Sequence, residues 1–175
     1  DLYYKLRSFP KYEGDKPESP YYWSDVADEQ LSYIRAFTFR QLNCAKIPPG
    51  RPFRDPAKQH GPLFFNTADA SDISVFNKLV NIASIDKLRA QKGWAIISTH
   101  LGKGFYRNNR LDPEFKRSME YLATLPGWFV PASQLLDFIS AEEGSQEIST
   151  IKRVKMEFSH IIDRIKGNII DPTLY

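Results

Sequence analysis

Apolar residues gather in short runs, or alternate with polar ones, in several segments of the chain, a pattern typical of β-strands. Residues 33–39 and 63–67 are rich in aromatic and β-branched side chains, and 94–99 form a nearly continuous apolar run. A similar short run occupies 127–131. We predict a strand in each segment, and at 94–99 a parallel strand that is buried on both faces.

Other segments carry apolar residues three and four positions apart, which predicts amphipathic helices. Asp72 can cap the first helix, which is predicted to close near Gly93. Asp112 and the proline after it suit the cap and the first position of the second helix, and Gly144 stops the third. The last helix is predicted from about 153 to 166. The order of strands and helices indicates a parallel α/β architecture.

Prolines and turn residues divide the chain into three parts. Residues 1–32 form an irregular segment rich in proline and aromatic side chains, and no regular element is expected over 9–23. Residues 33–144 carry the strands and helices, with a long proline-rich loop at 45–62. Residues 145–175 contain the last helix and a tail.

The distribution of charged and apolar residues bears on nucleic-acid and membrane partners. The 24 basic and 21 acidic residues are spread along the chain, so we expect no nucleic-acid partner. No apolar run is long enough to predict a membrane span, and the first residues have neither an initiating Met nor a signal-peptide pattern, as in a processed chain or a fragment. The sequence therefore does not predict a compartment. Cys44 is the only cysteine, which predicts a small core residue rather than a disulfide or a nucleophile.

A histidine stands where the apolar run 94–99 ends. In α/β barrels the reacting groups lie at the carboxyl ends of strands, and an imidazole there can act as general acid or base near neutral pH. His100 is therefore a candidate catalytic residue, although a histidine can also be hydrogen-bonded there for structure. The loop that follows contains Gly102, Lys103 and Gly104, which could bring backbone and a cation to a sugar or an oxyanion. A solvated turn is the alternative.

Two carboxylates three residues apart, Asp69 and Asp72, are further candidates for substrate binding, with helix capping as the alternative for Asp72. His60 and His160 are expected at surface or helix-face positions instead. The chain has no His-x-x-x-His or paired-cysteine spacing, so the sequence predicts no metal site of its own.

Two runs carry a family resemblance: GWAIISTHLGKGF at 93–105 and GWFVPASQLLDFI at 127–139. Together they resemble a subgroup of the NodB-like polysaccharide deacetylases, and the apolar helix 156–165 looks like the closing helix of that subgroup. The resemblance implies the C-terminal portion of a (β/α) barrel, with 33–144 as a partial barrel. Ser98 stands where the family pattern has a leucine.

The resemblance also implies an activity, the metal-dependent N-deacetylation of a polysaccharide or other amino-sugar substrate. His100 matches the strand-end histidine that protonates the leaving sugar amine in that family. The segment 69–73 is similar to the two-aspartate motif of the family, with Ile73 where a tryptophan is usual, which implies substrate-binding positions for Asp69 and Asp72. Gly102, Lys103 and Gly104 are placed beside them in the substrate loop.

The family holds a divalent metal, zinc or a similar ion, with aspartates and a His-x-x-x-His motif that have no counterpart here. In a complete enzyme those ligands would precede Asp1, so we expect a missing N-terminal half or another subunit to cover the strand edges. The alternative is a non-catalytic α/β module that binds a glycan or a protein partner. Tyr21, Tyr22 and Trp23 could then stack on sugar rings.

Overall fold

The computed structural model describes residue 14 and residues 16–56 and 62–170. His60 and residues 1–13 of the predicted N-terminal segment lie outside the described residues. The elements, in chain order, are α1 (Ser24–Gln30), β1 (Tyr33–Phe39), a 3-10 turn (Cys44–Lys46), β2 (Phe53–Arg54), β3 (Leu63–Ala70), α2 (Ile73–Leu79), α3 (Ile82–Ala90), β4 (Ile97–Thr99), β5 (Tyr106–Arg107), β6 (Arg110–Leu111), α4 (Pro113–Ala123), α5 (Ala132–Glu143), β7 (Gln146–Glu147) and α6 (Thr150–Ile170).

The predicted α/β class is confirmed, but the prediction of a parallel sheet is wrong, since the sheet is mixed. The connection between β2 and β3, residues 55–62, is shorter than the crossover that a parallel pair needs. Its strands follow the order β1-β3-β2-β7, with β4 also beside β3, and β5 and β6 form a separate hairpin. β2 is antiparallel to β3 and parallel to β7, whereas β3 and β4 are parallel. The strands of the described residues do not close into a barrel.

The chain divides into two units. The described parts of 1–37, 51–65 and 133–175 form the first unit, and residues 38–50 and 66–132 form the second. β1 and β3 each contribute residues to both units. Each unit has a hydrophobic core of its own.

The core of the first unit lies around Phe53, which is fully buried with Ile148 and Met156. Phe37 and Phe64 pack against these residues from β1 and β3. Met156 comes from α6, so this contact fixes the first half of that helix. An ion pair between Arg153 and Asp55, 3.6 Å long, adds a link between α6 and the residue after β2.

Helix α6 presents apolar side chains to solvent and buries polar ones. Its exposed large residues are Ile151, Val154, Phe158 and Ile165. On the opposite side His160 and Arg164 are buried, and Arg164 Nε donates a hydrogen bond to His160 Nε2 at 3.1 Å. His160 does lie on a helix, but its burial was not predicted, since the sequence pattern shows spacing and not what covers each face. Among the described residues no helix is long and apolar enough to cross a membrane.

The core of the second unit contains three aromatic rings in edge-to-face contact. Phe76 lies 5.2 Å from Phe105 and 5.3 Å from Phe115, measured between ring centroids, and Phe105 and Phe115 are 5.1 Å apart. These rings pack with the aliphatic residues Leu42, Ala70, Val80 and Ile85. The cluster therefore joins α2, α4 and the segment that follows β4.

Cap chemistry defines the helices of the second unit. Asp112 caps α4 as predicted, because its Oδ1 accepts hydrogen bonds from the Glu114 and Phe115 amides. The bond from the Phe115 amide, with one from the Asn77 side chain at 2.9 Å, holds the pKa of Asp112 below its usual value. Asn81 likewise caps α3 by accepting from the Ser84 amide at 3.0 Å. The prediction of one helix from Asp72 to near Gly93 is therefore wrong, since Asn81 starts a second helix.

Three further expectations differ from the structure. The predicted strand at 127–131 is not formed: the segment has no regular structure, and Trp128 and Phe129 are exposed. A strand is stabilised by pairing, and no strand of the described residues pairs with this segment. The strand at 94–99 is shorter, Ile97–Thr99, and only partly buried. Finally, α1 lies within the part of the chain that was predicted to be irregular.

Candidate functional site

His100 directly follows β4 and is exposed to solvent. β4 pairs in parallel with β3, with Asp69 beside Ser98 and Ala70 beside Thr99. Neighbouring strands lie about 5 Å apart and parallel strands end at the same edge. The strand pairing thus brings His100 to the same edge as the segment between β3 and α2, which contains Asp72.

Asp69 and Ser98 share one face of the β3–β4 pair, because their backbones are directly paired. Thr67 lies on that face of β3 by the same alternation, and its side chain is buried. This face is therefore polar where the two strands end. The opposite face carries Ala70 and Ile97, which pack in the core of the second unit.

The loop after His100 is fixed to the start of α2 by backbone hydrogen bonds. The Lys103 amide donates to the His100 carbonyl at 2.8 Å, which closes a tight turn. The Ile73 amide then donates to the Lys103 carbonyl at 3.1 Å. The side chain of Lys103 is exposed, so a cation lies on an anchored turn next to His100.

The two glycines of this loop differ in backbone conformation and in the space that a side chain would have. Gly104 has a φ of +87°, and a Cβ on it would lie 2.6 Å from the Ile73 Cγ2 atom. Gly102 has open space around it, with nothing within 4 Å of such a Cβ. Only Gly104 is therefore required by the fold.

Substitution of these two glycines by alanine is expected to change the free energy of unfolding by unequal amounts. Gly104→Ala is expected to lower the free energy of unfolding by about 1–3 kcal/mol, because it combines a left-handed backbone with a close contact. Gly102→Ala, the matched control, is expected to stay within about 0.5 kcal/mol of the native protein. Urea denaturation of both variants measures the difference. Equal shifts of the two midpoints would contradict the role given to Gly104.

Asp72 caps helix α2, as one of its two sequence interpretations predicted. Its Oδ1 accepts hydrogen bonds from the Ser74 amide at 2.9 Å and the Val75 amide at 3.1 Å. The Ser71 hydroxyl donates to Oδ2 at 3.1 Å. Both carboxylate oxygens thus hold the start of α2 beside the loop 101–104, and a contact of Asp72 or Asp69 with substrate stays a prediction.

The described residues supply neither a metal-binding group nor an exposed thiol near this edge. In the part of the chain that the structure describes, no group of three or more His, Cys, Asp or Glu side chains could hold a metal ion. The residues at hand therefore do not fit the divalent metal that the resemblance implies. Cys44 is buried, as predicted, and burial raises the pKa of its thiol.

That His100, Lys103, Gly104 and Asp72 form one site stays a prediction. The structure anchors the loop after His100 to the start of α2, which Asp72 caps. It adds Ser71, which orients the Asp72 carboxylate, and the backbone of Ile73, which anchors the loop. The sequence pattern does not indicate a role for Ser71 or for the backbone of Ile73. The role of Ile73 depends on its hydrogen bond to the Lys103 carbonyl, thirty residues later in the chain.

No protein-family model matches this chain, and no curated protein and no solved structure matches it either.

Proposed function

We propose that this chain is the C-terminal portion of a (β/α) barrel of the polysaccharide deacetylase type, and that it supplies the general acid for hydrolysis of N-acetyl groups on an amino-sugar polymer. The observation that carries the proposal is the position of His100, exposed at the carboxyl end of a parallel strand. Reacting groups of α/β barrels lie at such ends, because the strand fixes the side chain and the loops admit substrate.

The chemistry assigned to His100 is proton donation to the leaving group. When the tetrahedral intermediate collapses, the carbon–nitrogen bond breaks and the nitrogen needs a proton, because an amide anion is a poor leaving group. An imidazolium at His100 gives that proton, so the products are a free sugar amine and acetate. The Lys103 ammonium and the backbone of Gly104 are placed to contact the substrate beside it.

A divalent metal, in the family that the chain resembles, polarises the amide and activates the attacking water. We assign its ligands to residues outside this chain, because the sequence has no His-x-x-x-His spacing and the described residues form no metal-binding group. Exposed apolar surface supports a larger assembly. Phe158 on α6 is 60 % exposed and Phe129 is 63 % exposed, as expected of surfaces that a missing N-terminal half or another subunit covers.

A second candidate function has its own observation. Tyr21 and Trp23 are 53 % and 44 % exposed, in the turn before α1 and at its cap. Exposed aromatic rings of this kind stack on the apolar faces of sugars. A non-catalytic module that binds a glycan through these rings, or a protein partner, is therefore the alternative.

Acetate release separates the two functions. The native polypeptide that carries this chain, incubated with N-acetylated chito-oligosaccharides and zinc, is expected to release acetate and an equal amount of free amine. Chelation with EDTA is expected to stop the release. Binding of the oligosaccharide without release, weakened by Trp23→Ala, would instead support the binding module and contradict the enzyme.

A further inference from the structure

The second unit contains a cavity of about 200 Å³. The residues that line it lie outside the loop that follows His100. The cavity is lined by the segment 40–43, by the end of α2 and by one side of α3. This volume is large enough for a small ionic group with a few more atoms.

Positive charge dominates the cavity. Arg40, Lys78 and Lys87 line it, from three different parts of the unit. Among the described residues that line it, none is acidic. Cationic side chains around one space favour a bound anion.

Uncharged polar groups complete the lining. Ser84, Asn43 and Gln91 contribute a hydroxyl and two side-chain amides. Such groups donate hydrogen bonds to oxyanions, and arginine and lysine are the side chains that bind phosphate and carboxylate groups. The side chains of Leu42 and Leu88 form an apolar part of the wall, where charge interactions are less screened than in water.

The wall of the cavity is held in place before any ligand binds. The Asn43 side chain, 4 % exposed, donates from Nδ2 to Gln91 Oε1 at 2.9 Å and accepts at Oδ1 from the Ala45 amide at 3.1 Å. A Cβ on Gly93 would lie 2.4 Å from the Asn43 side chain, so this glycine leaves the space that the amide occupies. A preformed wall lowers the entropy lost on binding.

We propose that this cavity is a binding site for a small oxyanion, either a free ion or the phosphate or carboxylate group of a small molecule. Arg40 and Lys87 supply the charge, and Asn43, Ser84 and Gln91 the surrounding polar groups. This site goes beyond the proposed deacetylase activity and does not depend on it.

Titration of the full chain with inorganic phosphate, at constant ionic strength, tests the site. Saturable shifts of the backbone amide resonances of Asn43, Ser84 and Gln91 are expected in NMR spectra. Lys87→Gln is expected to weaken phosphate binding about five-fold, because it removes one exposed charge near the anion. Lys87 is exposed, so this variant is expected to fold normally.

Lys116→Gln is the matched control. It removes the same charge from the same unit, at an exposed position on α4 that pairs with Glu120 at 3.6 Å and does not line the cavity. This control is expected to leave phosphate binding unchanged. Shifts that do not saturate, or equal weakening by Lys116→Gln and Lys87→Gln, would overturn the proposal. Tighter binding of glucose 6-phosphate or of acetate than of inorganic phosphate would show that the site takes the oxyanion group of a small organic molecule. Phosphate binding as tight as that of these two compounds would show that it takes the free ion.

Discussion

Glutamine in place of His100 is expected to lower the rate of acetate release by about two to four orders of magnitude, the usual contribution of a positioned general acid. Glutamine fills similar space and donates a hydrogen bond, but it cannot transfer a proton to the leaving amine. The melting temperature is expected to change little, because the side chain of His100 is exposed. Single-turnover release of acetate measures the effect on the chemical step.

The adjacent residue provides the control for this variant. Leu101 is 65 % exposed on the same turn, and Leu101→Ala is expected to retain both turnover and stability. Loss of folding in His100→Gln, or an unchanged rate, would remove the catalytic role.

Phe76→Ala is expected to lower the free energy of unfolding by about 3–5 kcal/mol, a large part of the stability of a protein of this size. The Phe76 ring is 5 % exposed and contacts the rings of Phe105 and Phe115 edge to face. Its removal leaves a cavity and ends two aromatic contacts. Because Phe105 directly follows Gly104, the loss is also expected to loosen the loop after His100. Urea denaturation and amide hydrogen exchange of Lys103 measure the two effects.

Phe129→Ala removes the same side chain from an exposed position and is the control for this prediction. We expect it to change the free energy of unfolding by less than about 0.5 kcal/mol. A similar loss in both variants would mean that the three-ring cluster does not stabilise the second unit more than surface packing does.

Local chemistry made parts of this fold predictable. Asp112 followed by a proline, and Asp72 before an apolar stripe, fix helix starts through hydrogen bonds to amides two and three residues ahead. The strand that delivers His100 is recognisable because an apolar run, Trp94 to Ile97, leads into it. Asn81 carries the same cap signal, but the apolar spacing that continues past it favours one uninterrupted helix.

Features that depend on distant partners were not predictable. The segment 127–131 has the composition of a strand, but a strand needs a neighbour that accepts its hydrogen bonds. The burial of His160 depends on Phe37, whose ring centroid lies 4.8 Å away and more than a hundred residues earlier. The charged cavity likewise joins Arg40 to Lys87, and no spacing in the sequence relates these two.

The thiol of Cys44 is 1 % exposed, and burial raises its pKa, so it stays in the protonated form that reacts slowly with electrophiles. Since the chain has no other cysteine, it offers maleimide reagents no ready target. A cysteine introduced at the exposed position of Lys103 would then take a fluorophore or spin label selectively, without removal of the native thiol. Because the buried thiol of Cys44 does not compete for the label, distances and mobility of the loop beside His100 can be measured in an otherwise unaltered chain.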